Sequence, residues 1–482
     1  MDGTRKQILL GIDLGTTRLK VAAFSPDGTL QHQAGQRHRE RRLGERRWQD
    51  ADCWWQVTVD LCRRVLAALG EVEVLGISLS GRGGAAVFAD AAGNVLVQPW
   101  SDGRHQADQR TVRAEVGDRL SPYGLAMVAK LRWLAREVPG LRARTRQAFY
   151  GKDFLLHHLT GRHATDWSSG PDGPNWDVGL LEDLGIGSGL LPEPMLPWEL
   201  AGTLTPAASR QLGLPAGVPV AVGAHDGVCA NIGAGATQPG DYALTLGTHA
   251  VLRTVVAECP PGANRFYVMP PAGHVVGGNA LMGGRAADWF VDLLRGGRAE
   301  RSRQEDLAVL DALAADVPAG ARGVRFLPYL AGQVAPERRP GARAGFFGLN
   351  MDHGRAAAFR ALLEGVAFAI AHIEEQVAGW GGEPRRLRLT GSGARSAVWT
   401  RILAAVLQRS LEVSDGAVES RGAAICLAVA LGLHADVQQA GEVMVPIVRT
   451  EAPDDALAAA YVDVRRDWEA LDQLLRMRDA AP

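Results

Sequence analysis

The chain has little of several things that would decide its class. Its 482 residues hold 5 cysteines (Cys53, Cys62, Cys229, Cys259, Cys426), scattered, with no CxxC pair and no histidine at ligand spacing. That argues against a thiolate zinc site and a disulfide framework, and it fits a reducing cytoplasm. Neither sign of charge dominates: Lys+Arg 52 stands against Asp+Glu 53, a net charge of -1. A broad electrostatic surface for nucleic acid or an anionic membrane is therefore not expected. The densest basic stretch, Arg37 to Arg47, is interrupted by Glu40 and Glu45 and reads as a solvated face. Asp13 breaks the apolar residues that follow Arg5 and Lys6, too early for a secretory signal. No apolar run approaches the roughly 18 residues of a membrane helix. Two catalytic signatures are also missing, the GxxxxGK[ST] P-loop and the GxSxG nucleophile elbow.

What is present is an ordinary globular composition, 46% hydrophobic and 22% charged. The length exceeds one ordinary core, so at least two domains are expected. Residues 8–13 read as a buried strand and 19–24 as its antiparallel partner, with Pro26-Asp27-Gly28 as the next turn. Apolar residues at Trp54, Val57, Leu61, Val65, Leu66 and Leu69 have helical spacing, and Asp52 is a candidate N-cap. Residues 72–80 return to strand. The alternation continues, which makes the class α/β. Residues 455–477 read as an amphipathic helix packed on its own domain.

The most informative feature is an internal echo. GIDLGTTRLK at 11–20 and DYALTLGTHAVLRTVV at 241–256 share one plan: apolar strand, Leu-Gly-Thr turn, apolar strand. Each turn can be a plain hairpin or a phosphate-gripping loop. Glycine lets backbone N–H groups approach a phosphate, and threonine hydroxyls add donors. The echo predicts two related domains, 1–236 and 237–482, with the boundary in the Gly-rich stretch 233–240. A carboxylate at a strand end, such as Asp13, can orient hydrated Mg²⁺.

Two further segments carry chemistry. LRLTGSG at 387–393 runs a strand into glycines ahead of a predicted helix at 397–409, where a nucleotide can lie against backbone. It lacks the third glycine of a dinucleotide fingerprint. A strand at 218–222 leads into Gly223-Ala224-His225-Asp226-Gly227, which puts Asp226 where α/β proteins place catalytic groups. Asp226 can take the proton of an attacking hydroxyl, or it can cap the next helix. His225 reads as a hydrogen-bonded structural residue rather than a catalytic one. Asp102 and Arg104, in Trp100-Ser101-Asp102-Gly103-Arg104, can meet substrate hydroxyls or each other.

Taken in order, these motifs resemble the FGGY family of carbohydrate kinases, in the actin-like ATPase superfamily. The resemblance runs from about Leu9 to about Leu433. It rests on Asp13-Leu14-Gly15-Thr16-Thr17, on Trp48-Gln49-Asp50 with Trp54-Trp55, and on Trp100 to Arg104. Lys130-Leu131-Arg132-Trp133-Leu134 and Lys152-Asp153-Phe154-Leu155 with Thr165-Asp166 follow. Then come residues 223–235, Leu246-Gly247-Thr248, the stretch 326–332 with Ala335-Pro336, residues 345–349, Leu363-Glu364-Gly365 and Gly391-Ser392-Gly393-Ala394. The resemblance implies two actin-like (ribonuclease H-like) ATPase domains with a ligand cleft between them. It implies an ATP- and Mg²⁺-dependent kinase for a pentulose or similar sugar. Asp226 is the implied general base, and Asp13 and Asp226 are the metal-side carboxylates. Gly15, Thr16, Thr17, Gly247 and Thr248 are expected at the phosphates, and Gly391, Ser392, Gly393 and Ala394 at the adenosine.

The sugar is expected against Arg82, Gly83, Gly84, Asp102, Arg104 and Asp226. Ser80-Gly81-Arg82-Gly83-Gly84 departs from the glutamine–methionine–histidine run of typical xylulokinases, and the missing side chains are expected to leave room. His249 replaces a frequent serine, and Arg395-Ser396 an asparagine neighbourhood. Gluconate, a polyol such as erythritol or glycerol, and a deoxy-sugar are alternative acceptors. A non-catalytic sugar sensor and an actin- or Hsp70-like ATPase are alternatives of other classes. A homodimer is left open.

Overall fold

Ile8 to Ile12 are apolar but for one glycine, and all are buried; they form the centre of the first strand. The computed structural model describes residues 5–296 and 301–479. In it the first sheet is built from β1 (Lys6–Leu14), β2 (Arg18–Phe24), β3 (Leu30–Arg37), β4 (Val72–Gly81), β5 (Leu200–Thr203) and β6 (Pro219–His225), in the order β5-β6-β4-β1-β2-β3. Strands β1, β2 and β3 pair antiparallel, β4 lies parallel to both β1 and β6, and β5 closes the edge antiparallel to β6.

A second sheet repeats this plan. Six of its strands are β7 (Asp241–Leu246), β8 (Ala250–Val256), β9 (Gly273–Ala280), β10 (Arg386–Thr390), β11 (Leu411–Ser414) and β12 (Ile447–Glu451), in the order β9-β8-β7-β10-β11-β12. The antiparallel run is now β7-β8-β9, the parallel neighbours are β10 and β11, and β12 is the antiparallel edge. The echo in the sequence is thus an echo in topology.

The chain forms two units. One holds the chain up to Thr237, with Tyr267–Pro271 and Ala417–Pro446; the other holds Gln238–Phe266, Ala272–Gly416 and the chain from Ile447. The expected single boundary, 1–236 then 237–482, does not describe these units, because the chain returns to the first one twice. The larger return is the helix Val418–Ala430, which docks where backbones can touch. A Cβ on Gly11 would lie 2.0 Å from the Ser420 carbonyl oxygen, and one on Gly422 would lie 2.0 Å from that of Cys229.

Three helices refine the sequence reading. The helix Ala51–Leu69 is capped by Asp50, whose side chain accepts the Cys53 N–H; Asp52 is in its first turn and is not the cap. The helix Arg355–Gly381 is long and apolar enough to cross a membrane, against the expectation that no apolar run is. In the fold 83% of its apolar window is buried, so it is the central core helix of the second unit. The helix Asp455–Asp479 packs on its own unit through Trp468, whose indole donates 2.8 Å to the Phe326 carbonyl.

Candidate active site

The β1–β2 hairpin sets Asp13 opposite Lys20 and leaves Thr16 and Thr17 exposed at its tip. The Asp13 carboxylate is buried. Ser80, its register partner on β4, donates to it at 3.0 Å, and Lys20 Nζ lies 3.3 Å away. The same ammonium is 3.3 Å from Glu419, which the returning helix supplies. Burial pushes the Asp13 pKa up to about 7; Lys20 opposes this, while Glu419 and Asp226 add to it. Gln49 Nε2 donates to the Thr16 carbonyl at 3.2 Å, and a His38 ring nitrogen lies 3.0 Å from that of Gly15.

Asp226 stands where β6 becomes the helix Asp226–Gly233. The bend before it needs glycine: Gly223 has φ +70, and a Cβ there would lie 1.7 Å from the Leu79 carbonyl oxygen. The N-cap is His225, whose Nδ1 accepts the Gly227 N–H at 3.0 Å. The capping alternative for Asp226 therefore does not hold. Its carboxylate is 29% exposed and lies 3.0 Å from His225 Nδ1. An Nδ1 that accepts an amide proton has none to donate, so these two atoms are neighbours and not an ion pair. The His225 ring packs against both Tyr123 and Tyr267, with centroids at 4.5 and 4.4 Å.

Of the two glycines expected to leave room, Gly84 does, since a Cβ there would meet nothing within 4 Å, and Gly83 does not. A Cβ on Gly83 would lie 2.3 Å from Tyr123, so that ring fills the space the glycine vacates. Lys130 Nζ donates to the Gly84 carbonyl at 2.6 Å and to that of Trp100 at 3.3 Å, tying the two expected sugar segments together. Arg82 donates 3.2 Å to Gln49 Oε1, while its buried Nε has no hydrogen-bond partner. Burial lowers the Arg82 pKa against the opposing pull of Asp226 and Glu40. Asp102 and Arg104 meet each other, Nε to Oδ1 at 2.6 Å, and Asp102 also accepts the Arg47 N–H. Burial works against the Asp102 charge, but Arg104 and these amides carry its pKa down to about 2.

In the second unit the β7–β8 turn packs on the start of the helix Gly284–Arg295. Gly284 N–H donates to the Gly247 carbonyl at 2.6 Å, and Gly283 and Arg285 N–H groups donate to that of Thr248 at 3.1 and 3.2 Å. The Thr248 side chain stays exposed. Gly391 and Gly393 lie against the end of β7: a Cβ on Gly391 would be 2.6 Å from the Leu246 carbonyl oxygen, and one on Gly393 would be 2.6 Å from the Leu246 side chain. Gly247, Thr248 and the Gly391–Ala394 turn are thereby neighbours, with exposed Ser392 among them. The Ala394 carbonyl accepts from Arg449 at 2.7 Å.

Two family models match along the chain. The N-terminal domain of the FGGY family of carbohydrate kinases covers residues 8–233, and the C-terminal domain covers 243–431. The chain belongs to the FGGY family of carbohydrate kinases. It is 27% identical to the xylulose kinase of Escherichia coli (strain K12) over 97% of this chain and 99% of that one. It is 26% identical to the gluconokinase of Bacillus subtilis (strain 168) over 89% and 87%. Among solved structures, a xylulose kinase from Rhodospirillum rubrum superposes with TM-score 0.84 at 27% identity, over 98% of this chain and 100% of that one. A gluconate kinase from Lactobacillus acidophilus gives the same TM-score at 21% identity, over 98% and 99%, a likeness of fold. The repeated sheet plan is thus the actin-like ATPase fold in two copies, and the protein is an ATP-using sugar phosphotransferase.

Sequence reasoning missed Lys20, Glu419, Tyr123 and Tyr267. Lys20 alone left a signal, since it faces Asp13 across a short hairpin. Glu419 and Tyr267 arrive from distant segments.

Proposed function

We propose that this kinase transfers the γ-phosphoryl group of ATP to a hydroxyl of a pentulose or a similar open-chain sugar, with Asp226 as general base. One observation carries the assignment: His225 caps the helix in place of Asp226, so the carboxylate at the C-terminal end of β6 is not used on backbone amides. As the sugar hydroxyl attacks in line, Asp226 accepts its proton. Thr16, Thr17 and Thr248 offer hydroxyl donors to the phosphates, and Gly391 to Ala394 border the adenosine. Asp102 and Arg104, paired with each other, border the sugar together with Arg82, Gly83 and Gly84.

Among the described residues no group of three or more His, Cys, Asp or Glu side chains is disposed to hold a metal ion. Mg²⁺ carried by a triphosphate keeps most of its waters and needs only one or two carboxylates. Asp13 and Asp226 fit that requirement, the ion supplying neutralisation of phosphate charge. The scattered cysteines support a cytoplasmic enzyme.

A second acceptor, gluconate, is favoured by Arg82. Its buried guanidinium keeps Nε without a partner and lies within the electrostatic reach of Asp226, which suits an acid's carboxylate. The test is ATP consumption across a panel of ketoses, polyols and sugar acids, with Asp226→Ala beside the wild type. The variant should bind ATP and phosphorylate nothing; near-wild-type turnover would overturn the base. Turnover indifferent to every sugar would overturn the acceptor class.

A further inference from the structure

The buried cluster behind β6 belongs to none of the roles assigned above. Lys152, Asp153 and Asp166 are all buried, at 1%, 0% and 0% exposure. Lys152 Nζ lies 2.6 Å from Asp153 Oδ1 and 3.0 Å from Asp166 Oδ2, and it reaches the Val222 carbonyl at 3.5 Å. Asp166 turns its other oxygen to the next residues: Oδ1 accepts the N–H of Ser168 at 2.9 Å, the N–H of Ser169 at 3.2 Å, and the Ser168 hydroxyl. Ser168 is itself fully buried. Its hydroxyl has one proton, given to Asp166, and its oxygen accepts the His225 N–H at 3.1 Å.

We infer that Ser168 is a positioning residue for Asp226, fixing the His225 amide to the buried Lys152–Asp166 pair. The inference rests on the reading of Asp226 as base. The His225 N–H is the last strand amide before the helix that starts at Asp226, so the direction of the Asp226 side chain follows from where this amide is held. The anchor is stiff. A buried, doubly countered lysine does not move without exposing charge, and a hydroxyl polarised by a carboxylate is a stronger acceptor. Just before the bend, β6 slips register against β4 between Ala221 and Ala224, and its pairing resumes only at Ala224 and His225.

The experiment is a double-mutant cycle with Ser168→Ala and Asp226→Asn in the full chain. Sugar turnover, the ATP KM and the melting temperature are read for each variant. Ser168→Ala should lower kcat about tenfold to a hundredfold, leave the ATP KM within about twofold, and cost nothing further once Asp226→Asn is present. Ser168→Cys, with a weaker donor and acceptor, should fall between, and it carries the test if the alanine variant does not fold. Wild-type kcat in Ser168→Ala, or in Ser168→Cys where that variant carries the test, would overturn the inference. So would a loss that multiplies with that of Asp226→Asn. Full turnover by Asp226→Asn alone would instead overturn the base.

Discussion

The Tyr123 ring occupies the space that a side chain at Gly83 would need: a Cβ there would lie 2.3 Å from both Cδ1 and Cε1. The ring cannot simply swing away, because its other neighbour is His225, the residue before the proposed base. Gly83→Ala should therefore disturb catalysis beyond its own pocket wall. Steady-state kinetics should show a raised sugar KM and a kcat lowered about tenfold, as expected for a small misplacement near the chemistry. Gly83→Ala combined with Tyr123→Ala should recover part of the loss. Unchanged kinetics in the single variant would mean that the ring yields freely.

Lys20 joins two carboxylates that would otherwise repel, Asp13 and Glu419, at 3.3 Å from each. Lys20→Met removes the ammonium that Asp13 and Glu419 share, and the buried Asp13 is then driven further towards its neutral form. Glu419→Gln removes one of the groups that raise Asp13. The two variants should differ in direction: Lys20→Met loses most of its kcat, whereas Glu419→Gln keeps far more. Parallel turnover assays at one pH decide it, and equal losses would show that Lys20 acts independently of Asp13.

The parts of this site that read correctly from sequence are local. The hairpin at Asp13 to Lys20, the strand-to-helix bend at Asp226 and the Gly391 turn each lie within about ten residues, where turn chemistry and hydrophobic period speak directly. One local reading still failed: Asp50, not Asp52, caps the first long helix, since neighbouring acidic residues compete for one cap. Asp102 and Arg104 meet each other, one of the two outcomes that spacing alone left open. What could not be read was assembled from afar. Glu419 comes from a segment that returns after the second unit, and Ser168 reaches His225 across 57 positions. The Gly83 pocket was misjudged because a missing side chain says nothing about which distant ring fills the gap.

In the second unit the sharpest constraint is at Gly391. Its φ of +95 disfavours any side chain, and a Cβ would press 2.6 Å from the Leu246 carbonyl oxygen, which is backbone and cannot rotate aside. Gly391→Ala should raise the ATP KM and lower the melting temperature, at a cost above about 1 kcal/mol. The sugar KM should hardly change, since the residue belongs to the nucleotide half of the proposal. A sugar KM that rises in step with the ATP KM would contradict that division.

Lys130 gives a pH test with a definite sign. Burial lowers its pKa to about 7, helped by Arg82 and Arg104 and opposed by Asp102. A lysine in the unfolded chain titrates near its ordinary value of 10.5. Between these limits the unfolded state holds a proton that the folded state lacks, so stability rises with pH, by at most about 1.4 kcal/mol per unit. Below pH 7 both states are charged and the penalty of burial is constant. Lys130→Met has nothing to titrate at this position, and every other group in the two proteins is the same. The wild-type stability minus that of Lys130→Met should therefore be flat up to about pH 7 and climb from there towards pH 9.5, in urea melts run in matched buffers. A difference that stays flat across the range would mean that Lys130 keeps its charge. The Gly84 and Trp100 carbonyls and the Trp100 ring, 4.6 Å away, would then be enough to hold a buried ammonium.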